Sequence, residues 1–420
     1  MVNSRFTNNY LIEKKISDIF YFLFYLLILI APLIVYGISL GGFSLRFSRF
    51  LIILITPILL LKIILRPTLI LRDNFYIISV LPYLLYTTLS IIWSKNVETG
   101  TGIERLGGLY EIVLLYTIII VADLNVIRFE KFITYYTLSA VIPIGISFWQ
   151  LANNIYNFSS SEVPFDFFLI VGKYDLLEGR VFVAGDGFSR VSSTFAEPTI
   201  FGNFMCSVLL FSFLLKYNNK IILLLLRIFQ FFAFIILILS LTKLAILCFI
   251  VGMVFISRKE KIFRISLIFF LFLSFVIVNI ISYYDMLFIF DRLFENTGHV
   301  EKLEESLAMM KDGNLIFGEG IGSIPFGSFH RFVLSRVYES GIIGLLFVLS
   351  VSYIPFAIFF QKKANKKSEE TKNICLGVIV AVILGLHLYD FFIHLFPWIV
   401  IGAIMSFYNS EKESILLKNV

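Results

Sequence analysis

The stretch GIIGLLFVLSVSYIPFAIFF, residues 341–360, contains no charged side chain. About 20 apolar residues in a helix cross the roughly 30 Å hydrocarbon layer of a membrane. Comparable stretches recur along most of the 420-residue chain, which is 59% apolar, and a soluble core of this size could not bury them all. The sequence therefore predicts an all-α polytopic membrane protein that forms a single transmembrane domain over residues 1–420.

The apolar pattern along the whole chain predicts about twelve transmembrane helices. A polar, basic leader that ends at Lys15 shows no small-residue cleavage pattern, so the first apolar segment is expected to be retained as a span. The predicted spans are 18–40, 50–65, 75–93, 106–122, 132–152, 199–215, 221–241, 243–257, 262–282, 341–360, 374–389 and 391–408.

The distribution of basic residues predicts the orientation. Most of the 35 Lys and Arg residues fall in loops that this topology assigns to the cytoplasmic side, as the positive-inside rule requires, so both termini are expected in the cytoplasm. Topology accounts for the net charge of +6, and no nucleic-acid partner is expected. Three cysteines fall inside predicted spans without metal-ligand spacing and are interpreted as buried apolar residues.

Two long segments interrupt the apolar pattern, at about 153–198 and 283–340, and the topology assigns both to the extracytoplasmic side. Such segments are where sites are usually built on a rigid scaffold. In the first, GRVFVAGDGFSRVSSTF (residues 179–195) has alternating apolar residues on both sides of Gly-Asp-Gly, which predicts a hairpin that carries Arg180 and Arg190. Glu197 then precedes Pro198, which is suited to begin the next helix.

The second segment predicts a short helix over about 298–311 with one apolar face, ending at Gly313. The glycines at 318, 320 and 322 predict a turn where the backbone can approach another group closely. A dinucleotide-binding loop is disfavoured because no strand precedes this turn and no helix directly follows it. Next, FHRFVLSRVYESGIIG predicts a helix with His330, Arg331, Arg336 and Glu339, and the tenth span begins at about Gly341.

Two regions resemble the O-antigen polymerase and ligase superfamily, which includes the Wzy-type polymerases. They are RVSSTFAEPTIFGNF (190–204) and TGHVEKLEESLAMMKDGNLIFGEGIGS (297–323) followed by HRFVLSRVYESGIIGLL (330–346). Two positions depart from the family pattern. Arg331 stands where the family commonly has asparagine, and Lys243 stands where it has arginine. Lysine also binds phosphate, although as a point charge and without the fork geometry of arginine.

The resemblance implies a GT-C-like architecture in the bacterial cytoplasmic (inner) membrane and an inverting glycosyl transfer at its outer face. Donor and acceptor would be undecaprenyl-diphosphate-linked oligosaccharides, with no metal or cofactor, and a chain-length regulator protein is a possible partner. His330 is expected as the catalytic base, with Glu197 as the alternative. The expected substrate-binding residues are Arg190, Arg180, Lys243, Arg336, His299 and Glu339.

Other functions stay open. A ligase of the same superfamily would transfer finished polysaccharide onto lipid A core or another acceptor. A transporter or flippase could also have twelve spans, but it predicts related halves with broken helices and sites near the middle of the bilayer. His387, Asp390 and His394 have a spacing that superficially resembles metal ligands. An outer turn expected at Asp390 would break that geometry and favours a polar lining instead.

Overall fold

The protein is built mainly from α-helices that cross one another in a bundle. The computed structural model describes residues 2–34, 36–40, 43–94, 101–152, 183–184, 188–189, 191, 193–195, 197–240, 242–257, 299–324, 332–360, 366–388 and 394–416. The helices are α1 (Val2–Ile30), α2 (Phe47–Leu65), α3 (Thr68–Leu71), α4 (Leu81–Leu89), α5 (Thr101–Val121), α6 (Val126–Leu138), α7 (Val141–Ala152), α8 (Pro198–Ser212), α9 (Lys220–Leu239), α10 (Lys243–Ser257), α11 (His299–Asp312), α12 (Phe332–Phe360), α13 (Lys366–Leu388) and α14 (Leu395–Leu416).

Six helical segments within these residues are long and apolar enough to cross a membrane. They are Phe47–Leu65, Tyr76–Trp93, Val126–Leu151, Lys220–Leu239, Phe332–Phe360 and Glu369–Leu388. Their outward faces are apolar as well: on α9, Ile221, Leu224 and Leu225 are all exposed. A contiguous exposed apolar face needs lipid around it. The prediction of a helical membrane protein is thus confirmed.

The first predicted span, 18–40, is wrong in its boundaries. Helix α1 covers Val2–Ile30 and ends two residues before Pro32, because the residue before a proline is disfavoured in the helical region. The chain then forms a hairpin in which β1 (Gly37–Leu40) pairs antiparallel with β2 (Phe43–Arg46). Helix α2 begins directly after this hairpin.

Three spans are locally irregular, and proline or glycine explains each irregularity. A π-helical segment, Tyr76–Val80, precedes α4, because Pro82 cannot donate the hydrogen bond expected at that turn. Pro143 likewise explains the break between α6 and α7, since its ring would clash with the carbonyl of Ser139. Helix α12 bends at Gly341, whose φ of 56° and ψ of −137° are not helical.

Small residues allow the central helices to pack closely. A Cβ placed on Gly252 of α10 would lie 3.1 Å from the carbonyl oxygen of Gly377 on α13, and one on Gly377 would lie 2.6 Å from that of Gly252. Glycine lets two membrane helices bring their backbones into contact, which increases van der Waals packing. This crossing holds α10 and α13 at the centre of the bundle beside α8.

Hydrogen bonds between elements define two ends of the bundle. At the end called here the loop end, Thr194 Oγ1 donates to Pro32 O, Thr242 Oγ1 donates to Pro198 O, and Ser94 Oγ donates to Ile321 O. At the opposite end, Tyr21 OH donates to Ala122 O and Lys216 pairs with Glu370. Described residues of both predicted long segments, Thr194 and Ile321, thus lie at the loop end.

Candidate functional site

A buried carboxylate, Glu339, is the centre of the candidate site at the loop end. Its Oε1 accepts a hydrogen bond from Arg105 Nη1 at 2.6 Å and from the N–H of Gly322 at 3.1 Å. Its Oε2 lies 3.0 Å from Arg336 Nη1. The side chain of Glu339 is 1% exposed and that of Arg336 is 8% exposed. Two arginines therefore share one carboxylate that is itself shielded from water.

Glycines bring the loop 314–324 into contact with this carboxylate. Gly318, Gly320 and Gly322 all have positive φ, a conformation that glycine adopts without a steric penalty. A Cβ on Gly318 would lie 2.4 Å from the carbonyl oxygen of Glu339, and a Cβ on Gly320 would lie 2.6 Å from Ser94 Cα. The predicted turn with a close backbone approach is confirmed, and the groups it approaches belong to the protein itself.

The same loop is held from its other side by the helical segment that follows α4. Ser90 Oγ accepts from the N–H of Ile321, and Ser94 Oγ donates to the carbonyl of the same residue. Trp93 Nε1 donates to Gly318 O. On the α12 side, backbone bonds run from Glu319 N to Tyr338 O and from Gly320 N to Glu339 O. The loop is thus fixed between two membrane helices.

Helix α4 also supports Arg336 directly. Arg336 Nη1 donates to Tyr83 OH at 3.3 Å, and the Tyr83 ring stacks on Phe347 of α12 with centroids 4.1 Å apart. Arg336 and Glu339 are three residues apart, so both project from one face of the first part of α12. The bend at Gly341 separates this part from the rest of the helix.

The electrostatics of the group favour an anion. The formal charges of Arg105, Arg336 and Glu339 sum to +1, and 29% of the Arg105 side chain is exposed. A second bond, from Arg105 Nη2 to Ile324 O at 3.3 Å, helps to fix its orientation. Arginine presents several donors in a planar fork that suits phosphate oxygens. The arrangement can therefore orient a phosphate at the exposed side of Arg105.

Glu197 and Lys243 lie at the starts of two neighbouring helices at the loop end. Glu197 is the N-cap residue of α8, with Pro198 in the first turn as predicted, and its side chain makes no capping hydrogen bond. Lys243 is exposed and begins α10. The starts of these two helices are joined by the bond from Thr242 Oγ1 to Pro198 O at 3.2 Å.

The hydroxyls that precede Glu197 have structural roles. Ser193 Oγ donates to Pro143 O, and the N–H of Ser193, which has a φ of 52°, donates to Gln150 Oε1. Thr194 Oγ1 donates to Pro32 O. Buried hydroxyls need partners of this kind. These bonds fix the backbone that precedes Glu197. The Ser193 and Thr194 hydroxyls therefore have a structural role.

Several expected site residues lie outside the described part of the chain. They are Arg180, Arg190 and His330. The hairpin expected to carry the first two is confirmed at its centre, where Val183 pairs with Ser189 and Ala184 pairs with Phe188. His299 begins α11, which ends at Asp312 close to the predicted boundary.

The group at His387, Asp390 and His394 is only partly described, since Asp390 lies outside the described residues. His387 Nε2 lies 2.8 Å from Ser352 Oγ, and its ring lies beside that of Phe332 at the start of α12. Within the described residues, no three His, Cys, Asp or Glu side chains are close enough together to hold a metal ion. His387 thus belongs to the contact between α12 and α13.

The sequence did not single out two groups of charged residues. Arg105 lies just before the predicted span 106–122, and no local pattern links it to Glu339, which follows 234 positions later. In the other group, Arg49 donates to Glu111 Oε2 through Nε at 3.0 Å and Nη2 at 2.8 Å. Arg46 lies near this pair, and burial lowers its pKa. In both groups, a charged residue beside an apolar helix was the sequence signal that could have indicated a site.

Comparison with family models and with curated proteins finds no match for this chain. A functional proposal must therefore rest on the sequence motifs and on the geometry around Glu339.

Proposed function

We propose that this protein is a metal-independent inverting glycosyltransferase that polymerises undecaprenyl-diphosphate-linked oligosaccharides at the outer face of the bacterial cytoplasmic membrane. The observation that carries the proposal is the buried group of Arg105, Arg336 and Glu339. Arg336 and Glu339 lie in the segment that resembles the polymerase and ligase superfamily, and Arg105 contacts that segment from α5. About twelve spans, a GT-C-like architecture and cytoplasmic termini are parts of the same proposal.

The reaction is a displacement at the anomeric carbon of the donor sugar. The acceptor hydroxyl oxygen forms a bond to that carbon from the side opposite the diphosphate, and the bond from the carbon to the diphosphate oxygen breaks. The lipid diphosphate leaves with the electron pair, and the hydroxyl proton passes to a base. Negative charge grows on the leaving group as this bond breaks, so fixed cations nearby lower the barrier.

The described residues suit this demand. Arg105 would bind the diphosphate directly, because its guanidinium is fixed on one side by Glu339 and exposed on the other. Arg336 would add charge from the buried side, and Glu339 would orient both arginines. Lys243 and Glu197 supply a second cation and a second carboxylate at the same end of the bundle. His330 is the proposed base, with Glu197 as the alternative.

The test is a polymerisation assay with purified full-length protein and lipid-linked repeat units, read on a gel as a ladder of lengths. We expect a ladder without added metal, lost in Arg190→Ala and His330→Ala. We also expect Arg105→Lys to reduce the rate about 10²-fold, which is typical for removing one oriented donor to a developing negative charge. Arg227→Lys is the matched control, since Arg227 lies on α9 and bonds to Gln230.

The outcomes separate the candidate functions. Full activity in Arg105→Lys would contradict the role of this arginine, and activity surviving both Arg190→Ala and His330→Ala would contradict the proposed chemistry. Transfer only onto a different acceptor would identify a ligase. Movement of intact lipid-linked sugar across a vesicle membrane without any new glycosidic bond would identify a transporter.

A further inference from the structure

We infer that the end of the bundle opposite the candidate site contains a binding site for a phosphate-bearing anion. A cavity of about 560 Å³ opens there between α1, α2, α5 and α6. This volume is within the range of small-molecule sites in proteins. The inference does not depend on the proposed polymerase activity, because it concerns other residues at the other end of the molecule.

The lining of the cavity carries an excess of positive charge. Five basic side chains line it, against the three acidic side chains of Glu13, Asp18 and Asp123. The basic residues are Lys14, Lys62, Arg66, Arg128 and Lys131. Two of these cations have acidic partners, because Arg66 pairs with Glu13 at 2.5 Å and Arg128 pairs with Asp123 at 3.5 Å. Among the described residues, Lys14, Lys62 and Lys131 form no salt bridge.

Aromatic rings hold two of the cations in place. Lys62 Nζ lies 4.0 Å from the ring centroid of Phe20 and 4.6 Å from that of Tyr21, and Arg128 Cζ lies 4.7 Å from the Tyr21 ring. Cation–π contacts orient a cation without neutralising its charge. The Tyr21 hydroxyl is in turn fixed by its bond to Ala122 O at 2.9 Å. The positive charges of Lys62 and Arg128 are therefore held in position before any ligand binds.

The surroundings fit a phosphate in a lipid headgroup as well as a free phosphate. Leu65 lines the cavity and is also exposed on the outside of α2, where it continues into the exposed apolar side chains of Leu61 and Ile64. An acyl chain could lie along this face while its phosphate occupies the cavity. Both sources share the same chemistry, an anionic phosphate bound by lysine and arginine.

The test measures binding to the intact purified protein in neutral detergent, without any enzymatic assay. The probes are dioctanoyl phosphatidylglycerol, dioctanoyl phosphatidylcholine and inorganic phosphate, each titrated while the thermal unfolding midpoint is followed. The cavity variant is Lys62→Gln with Lys131→Gln. The control variant is Lys15→Gln with Lys220→Gln, which removes two exposed lysines that do not line the cavity.

We expect the anionic probe to bind roughly tenfold or more weakly to the cavity variant, since each removed lysine weakens attraction to a phosphate surface several-fold. The control variant should bind like the unmodified protein. Stabilisation by inorganic phosphate would identify a free phosphate as the ligand, and stabilisation by phosphatidylglycerol alone would identify a lipid headgroup. The inference is overturned by equal binding to both variants, by equal binding of phosphatidylcholine, or by no anion binding.

A second pair of variants covers the case in which the cavity variant does not fold. Lys14 lines the cavity and its neighbour Lys15 does not, although both are exposed on α1. Lys14→Gln should weaken binding of the anionic probe several-fold, whereas Lys15→Gln should leave it unchanged. Equal effects of the two substitutions would show that the charges act only through the general surface potential.

Discussion

Glu339 is held between two arginines because a lone carboxylate at 1% exposure would be strongly disfavoured. The pairing reduces this cost, and the N–H of Gly322 occupies a further acceptor position. Such an ion group contributes little net stability compared with apolar packing, yet removing one member leaves an uncompensated buried charge. In the proposed site, the contribution of this ion group is the orientation that Glu339 gives to Arg105.

Removing the carboxylate should therefore destabilise the fold. We expect Glu339→Ala to lower the free energy of unfolding by about 3–5 kcal/mol, the usual effect of breaking a buried ion pair. Thermal unfolding of the purified protein, followed by intrinsic fluorescence, measures the change. Glu104→Ala is the matched control, because Glu104 is exposed beside Arg105 and should shift the midpoint little. Equal shifts in the two variants would contradict a structural role for the buried group.

The sequence singled out two of the three residues of this group, Arg336 and Glu339. Both were expected on one helix as substrate-binding residues, a role that stays a prediction, and the structure has the two side chains in contact. Arg105 and Tyr83 were not expected, since their proximity depends on how α4 and α5 pack against α12. Periodicity along one helix contains no information on which distant helix faces it.

Glycine and proline explain several of the boundaries between elements. Gly185-Asp186-Gly187 predicted the β3 (Val183–Ala184) and β4 (Phe188–Ser189) hairpin correctly. Gly41-Gly42 carries a similar signal between the alternating residues of β1 and β2, but it was included in the predicted span 18–40. The apolar character of the flanking residues concealed this hairpin, because hydropathy alone does not distinguish a strand from the end of a helix.

The bend at Gly341 allows close contact between α12 and the loop 314–324. A Cβ at this position would lie 2.2 Å from Ile316 O, and its φ of 56° is unfavourable for other residues. We expect Gly341→Ala to lower the unfolding midpoint by several degrees and to reduce activity, since the bend orients Arg336 and Glu339. Gly108→Ala is the control, because nothing lies within 4 Å of its added Cβ in α5. A midpoint equal to that of the control would show that the loop can move away.

The whole molecule has different chemistry at its two ends. The loop end contains the buried Arg105 and Glu339 group, whereas the opposite end contains the cavity rich in lysine and arginine. The sequence predicted this polarity through the positive-inside rule, which depends only on charge counts in short loops. It did not predict that several of those charges converge on one cavity, because convergence depends on tertiary packing.

The proposed orientation can be tested by labelling single cysteines in intact cells. Asn314 is exposed at the loop end, and Asn218 is exposed at the opposite end between α8 and α9. The three native cysteines are all buried, so their background labelling should be low. We expect a membrane-impermeant maleimide to label Asn314→Cys in intact cells, and to label Asn218→Cys only after the membrane is permeabilised. The reverse pattern would place the cavity outside and the Glu339 group in the cytoplasm, where the proposed polymerisation at the outer face could not occur.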